Sequence, residues 1–202
     1  MLFCKGKSFF EYRKLKKIAR QVRNGIVPDG VSKDRIFEAL KVTRPSNVFE
    51  MFGFLHAVVH NPDGTLKKDY GLVSVKKVTT AFAIRLVDAL MDSATTIATF
   101  SFHKMGSGST SETASQTALI TQQVGAQTGT DGATAQTHGA SSDIYRTVGT
   151  LTAGSAYGCR EHGVFNASTG GVMLDRSVVT NIDLNTEDVV TWTYELTVNS
   201  GG

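Results

Sequence analysis

The chain has 202 residues, enough to bury a substantial core in one or two domains, and 41% are hydrophobic against 19% charged, which excludes disorder throughout. Its longest apolar runs, such as Val78 to Met91, are broken by Thr80, Arg85 and Asp88 and fall short of the roughly 20 residues of a membrane span, so no span is predicted. Net charge is only +3, yet Lys plus Arg exceed Asp plus Glu by 16 to 7 in residues 1–77 and trail them by 5 to 11 in residues 78–202. This division predicts a basic segment that meets an acidic partner: nucleic acid, a neighbouring subunit, or the acidic half of another copy.

Lys5 and Lys7 stand close to charged residues where a signal peptide would place an apolar core, which predicts a chain made and used in a cytoplasm. Cys4 and Cys159 belong to no C-x-x-C or Cys/His group and read as two reduced thiols. From Ser8 to Val22, Tyr12, Leu15, Ala19 and Val22 recur at spacings of three and four, with Lys14, Lys16, Lys17, Arg20 and Arg23 largely elsewhere, which predicts a basic amphipathic helix. Pro28-Asp29-Gly30 predicts a turn, and Ser32 is placed to N-cap a short helix through Lys41 carrying Ile36, Phe37 and Leu40. Pro45 closes the helical region.

From Val48 the period changes to two. Phe52, Phe54, His56 and Val58 share one face and Met51, Leu55, Ala57 and Val59 the other, a strand apolar on both sides. Asn61-Pro62-Asp63-Gly64 and the run Tyr70–Val78 complete a hairpin, while Thr79–Met91 reads equally as strand or helix. Further strands are expected at 97–103, 144–152, 157–166, 172–179 and 189–198. In the last, Val190, Trp192, Tyr194, Leu196 and Val198 alternate with Thr191, Thr193, Glu195 and Thr197. Residues 78–202 hold 22 Thr and 12 Ser, which suits pleated strands. A Gly/Ser/Thr/Gln/Ala-rich stretch at about 106–142 reads as a long polar loop with a short helix near Glu112–Gln123. The expected fold is mainly β: an antiparallel β-sandwich or barrel-like domain over 48–202, preceded by a basic helical arm over 1–47, α+β overall.

Chemical signatures are weak. Gly6-Lys7-Ser8 has no preceding strand to aim a phosphate loop, and Gly106-Ser107-Gly108-Ser109-Thr110 lacks the rest of a nucleotide fingerprint and reads as a flexible turn. His56 and His60 share a strand face, some 13 Å apart at about 3.3 Å per residue, too far for one ion. No Gly-x-Ser-x-Gly elbow places a nucleophile. Asp183, Asn185, Glu187 and Asp188 read as a solvated turn rather than a calcium loop. Glu161-His162 and Asp175-Arg176 read as edge or interface pairs.

The run from Glu161-His162-Gly163-Val164-Phe165 to Asp175-Arg176-Ser177, then Asn181-Ile182-Asp183-Leu184 and Trp192-Thr193-Tyr194-Glu195-Leu196, resembles a family of tailed-bacteriophage structural proteins. Pro62-Asp63-Gly64, Gly71-Leu72-Val73-Ser74, Val78-Thr79-Thr80-Ala81 and Phe102-His103 before Gly106 fit the same likeness, which covers about residues 57–198. The resemblance implies a small virion component without known catalytic residues, so no catalytic, metal-binding or cofactor-binding residues are expected.

The expected function is that of a minor capsid or decoration protein, with a tail, head-to-tail or fibre-attachment component as the alternative. Its arm, through Tyr12, Lys14, Leu15, Lys16, Lys17, Arg20 and Arg23, would dock on an acidic or apolar groove of a major capsid or tail subunit. Homo-oligomers within a symmetric assembly are expected, and no membrane. Nucleic acid is a further possible partner, since Phe9, Phe10 and Tyr12 offer rings beside the cations, although aromatic residues on such a helix more often pack against protein. A glycan site formed by Trp192, Tyr157 and the long loop is a third reading.

Overall fold

A computed structural model describes residues 9–43, 51–91, 99–123, 127–128, 134–136 and 144–198. Cys4 and Gly6-Lys7-Ser8 lie outside these residues, as does part of the long polar stretch. Helix α1 spans Phe9–Arg23 and α2 spans Lys33–Val42; between them Val31 N–H donates to the Pro28 carbonyl at 3.4 Å, the expected turn. Ser32 caps α2 as its sequence predicts, its Oγ accepting from the Arg35 amide at 3.3 Å.

Strands β1 (Met51–His60) and β2 (Leu66–Lys77) form the expected hairpin. In its turn Gly64 N–H donates to the Asn61 carbonyl, Asp63 Oδ1 accepts from the Thr65 amide, and Gly64 takes a φ of 82°, where a glycine is needed. The ambiguous run is a helix, α3 (Thr80–Met91), begun by Thr79, whose Oγ1 accepts from the Phe82 amide at 3.2 Å. Then follow β3 (Phe102–Gly106), β4 (Gln127–Thr128), β5 (Thr134–Gln136), β6 (Ile144–Thr152), β7 (Tyr157–Phe165), β8 (Met173–Leu184) and β9 (Val189–Val198). β6, β7 and β9 fall where expected, β3 begins later, and β8 continues beyond Val179, since Ile182 and Leu184 prolong its buried alternation.

The fold is α+β, with two antiparallel sheets ordered β2-β1-β9-β6-β5 and β4-β3-β7-β8, and among the described residues neither closes into a barrel. The sheets share a core in which Leu55, Ala57 and Val59 of β1 and Val190, Trp192, Tyr194 and Leu196 of β9 meet Met105, Cys159, Val164 and Ile182 of the other sheet. Trp192 is fully buried there. On the outer face of the larger sheet, Leu15, Ala19 and Val22 of α1 and Ile36, Phe37 and Leu40 of α2 pack on Phe52, Phe54, Val75 and Ile144. The two apolar faces read in β1 therefore serve two separate cores.

The helices are a layer of the fold. Lys33 at the start of α2 pairs with Glu195 of β9, and Lys76 of β2 donates to the Gly25 carbonyl at 2.8 Å, so polar contacts reinforce the apolar seam.

Candidate functional site

The sequence singles out α1. Its helical period sorts the expected contact residues by face: Leu15 is wholly buried against the chain's own sheet, Tyr12 and Arg23 are half-buried, and Lys14, Lys16, Lys17 and Arg20 are exposed. Leu15 is thus committed to the internal core and is not available to a neighbour's groove. A groove of about 750 Å³ runs along the outer side of α1, lined by Tyr12, Arg13, Lys16, Lys17, Arg20, Arg23, Asn24 and Thr43. Arg23 Nη1 donates to Thr43 Oγ1 at 3.2 Å, joining α1 to the end of α2.

A second surface is α3, whose one buried side chain among the described hydrophobics is Phe82, seated edge-on against Phe100 at 5.2 Å between ring centres. Ile84, Val87 and Met91 recur at helical spacing, with Leu90 beside them, and all four are exposed, Leu90 by 81% and Met91 by 80%.

Beneath the polar loop lies a network built on two of the charged residues singled out in the sequence. Glu161 lies on β7, an inner strand, and Arg176 on β8, at the edge of the smaller sheet; both are buried, and they pair with each other across the two strands. The Glu161 carboxylate accepts from the amides of Gly108 at 3.1 Å, Ile120 at 3.0 Å and Thr121 at 2.6 Å, and from Arg176 Nε at 2.8 Å. Arg176 Nη1 in turn donates to the Thr110 carbonyl at 3.0 Å and to Gln116 Oε1 at 3.1 Å. Burial pushes the Glu161 carboxyl up, but the Thr121 and Ile120 amides and the Arg176 guanidinium outweigh it and hold the group below the usual carboxylate range.

The same contacts explain the glycines. A Cβ on Gly106 would stand 2.2 Å from the Thr121 carbonyl oxygen, and one on Gly108 would stand 2.5 Å from Glu161 Oε1. These glycines permit close approach, so the stretch is not the flexible turn it resembles. Nor does residues 112–123 form the expected helix, because its amides are claimed by a carboxylate some forty positions away.

On the opposite face of β7, His162 stacks on Trp192 with ring centres 4.6 Å apart and its Nε2 lies 3.0 Å from His103 Nδ1. His103 Nε2 lies 3.2 Å from Thr147 Oγ1, and Gly149 leaves room for the ring, since a Cβ there would come within 2.4 Å of it. One proton fits the imidazole contact, so the pair holds together only when at least one ring is neutral. Burial depresses His103 to about 3 and drives His162 well down, helped by His103 itself. Asp175, also buried, is pushed up to about 7 by desolvation although Ser177 Oγ donates to it at 2.8 Å.

The remaining candidates are structural in their geometry. Asp188 Oδ2 accepts from the Asn185 amide at 2.7 Å and pairs with Lys67, fixing the turn before β9. His56 and His60 lie on one strand, and among the described residues no cluster of His, Cys, Asp and Glu is placed to hold a metal ion. Cys159 is a buried free thiol, pushed up to about 12 by burial, while Cys4 is outside the described residues. Trp192 is sealed in the core, which removes it from any glycan site. Among the described residues no helix is long and apolar enough to cross a membrane.

Comparison of the chain with protein-family models, with curated proteins and with solved structures finds no match.

Proposed function

We propose that this chain is a structural component of a tailed-bacteriophage virion, a minor capsid or decoration protein held by neighbouring subunits. The observation that carries the reading is the use made of the residues that resemble the phage family. Glu161, His162, Gly163, Asp175 and Arg176 are all buried, and the first and last of them pin a polar loop across the smaller sheet. A motif devoted to internal geometry suits a protein whose function is its shape and its surface.

The apolar stripe of Ile84, Val87, Leu90 and Met91 on α3 supplies the contact expected of such a part. In a symmetric particle each copy repeats that contact, and weak individual contacts are multiplied by avidity. The test is incorporation of a Val87→Asp/Leu90→Asp chain during particle assembly. The variant should fold with an unchanged melting temperature and be missing from purified particles, whereas incorporation at the unsubstituted level would contradict the proposal.

A further inference from the structure

We infer that the outer face of α1 is a nucleic-acid-binding surface that grips the phosphate backbone without reading sequence. The fold takes the apolar side chains of that helix out of play. Leu15, Ala19 and Val22, its apolar anchors, are fully buried under the larger sheet. A protein partner would need an apolar centre to its contact, where lysine is depleted, and these three anchors are already used inside the fold. Phe10, 77% exposed at the helix start, is a single ring at the end of the face.

What remains is cationic. Arg13, Lys16, Lys17, Arg20 and Arg23 line the groove, and among the described residues its lining includes no aspartate or glutamate. Glu11, the acidic residue of the first turn, is paired with Arg35 of α2. The spacing of three and four keeps the basic positions in register with successive helical turns, about 5.4 Å apart, so the charges form a line rather than a point. Tyr12 and Asn24 add neutral donors of the kind that accompany Arg and Lys on phosphate oxygens. A linear polyanion matches a line of cations, and the arginine guanidiniums with the neutral side chains beside them suit phosphate oxygens, which are the same whatever the base sequence.

The inference is independent of the virion reading, and either can fail alone. The experiment is a titration of the full chain against a fluorescently labelled mixed-sequence DNA duplex at several salt concentrations. About four phosphate contacts predict a slope of log affinity against log salt near −3.6 and a roughly 150-fold loss of affinity from 50 to 200 mM salt. Lys16→Ala/Lys17→Ala/Arg20→Ala should shrink the slope by about 3 while leaving the circular dichroism spectrum and melting temperature unchanged. An unlabelled duplex of different sequence should compete equally well, and polyglutamate of equal charge should compete poorly. No binding at low salt, a slope untouched by the three substitutions, or polyglutamate competing as well as DNA would overturn the inference, the last in favour of an acidic protein partner.

Discussion

Arg176 Nε and Nη2 lie 2.8 Å and 2.7 Å from the same oxygen of Glu161, and both side chains are buried beneath the loop they hold. A buried ion pair of this kind adds little over a well-packed apolar pair, but removing one partner strands the other in a dry site. Here the stranded group would include three backbone amides of the loop.

Glu161→Gln should therefore destabilise the chain by about 3 to 5 kcal/mol. Amide exchange at Gly108, Ile120 and Thr121 should accelerate more than exchange in β9, because the loop loses its anchor first. A denaturation midpoint equal to that of the unsubstituted chain would show that the carboxylate charge does not hold the loop.

The two core imidazoles make stability depend on pH. Their folded values lie below the ordinary 6.5, so between that value and about 3 the unfolded chain binds protons that the folded chain refuses. Their contribution is complete above 6.5 and is lost as pH falls, at up to ~1.4 kcal/mol per unit for each ring. His162→Phe, which keeps a ring against Trp192, should flatten the rise of the urea midpoint between pH 4 and 6. Parallel profiles for the two proteins would contradict this.

Asp175 acts in the opposite sense. Its carboxyl is raised from 3.8 to about 7, so the folded chain retains a proton that the unfolded chain releases. That contribution is complete below 3.8 and is lost as pH rises through 7. Asp175→Asn should match the unsubstituted chain near pH 4 and exceed it in urea midpoint at pH 8. An equal difference at both values would mean that the carboxyl does not change its charge on folding.

Trp192→Ala should cost about 3 to 5 kcal/mol, since the indole is fully buried between the sheets and its removal leaves a cavity beside His162. Thermal melting measures this directly, and an unchanged midpoint would place Trp192 outside the core.

The parts of the fold that were legible in the sequence are those with local causes. The period of α1, the Ser32 cap, the Pro62-Asp63-Gly64 turn and the alternation in β9 each appear as read. The run 79–91 was ambiguous because its apolar residues are nearly continuous; Thr79, whose hydroxyl caps α3, was the available signal for a helix. What sequence could not supply depends on distant partners. Nothing near Thr121 announces that its amide belongs to Glu161, and nothing in Glu161-His162 reveals that one side chain faces a loop and the next faces Trp192. The basic character of α1 was plain from its residues. That Leu15 would be consumed internally, leaving charge alone outside, required knowing that Phe52, Phe54 and Val75 lie beneath it.

The central claim is that the chain is part of a particle. The most direct test separates heads from tails of purified phage and quantifies this protein in each fraction by mass spectrometry. The account predicts enrichment with heads at many copies. Enrichment with tails at low copy would move it to an adaptor or fibre component, and absence from both fractions would contradict the virion assignment.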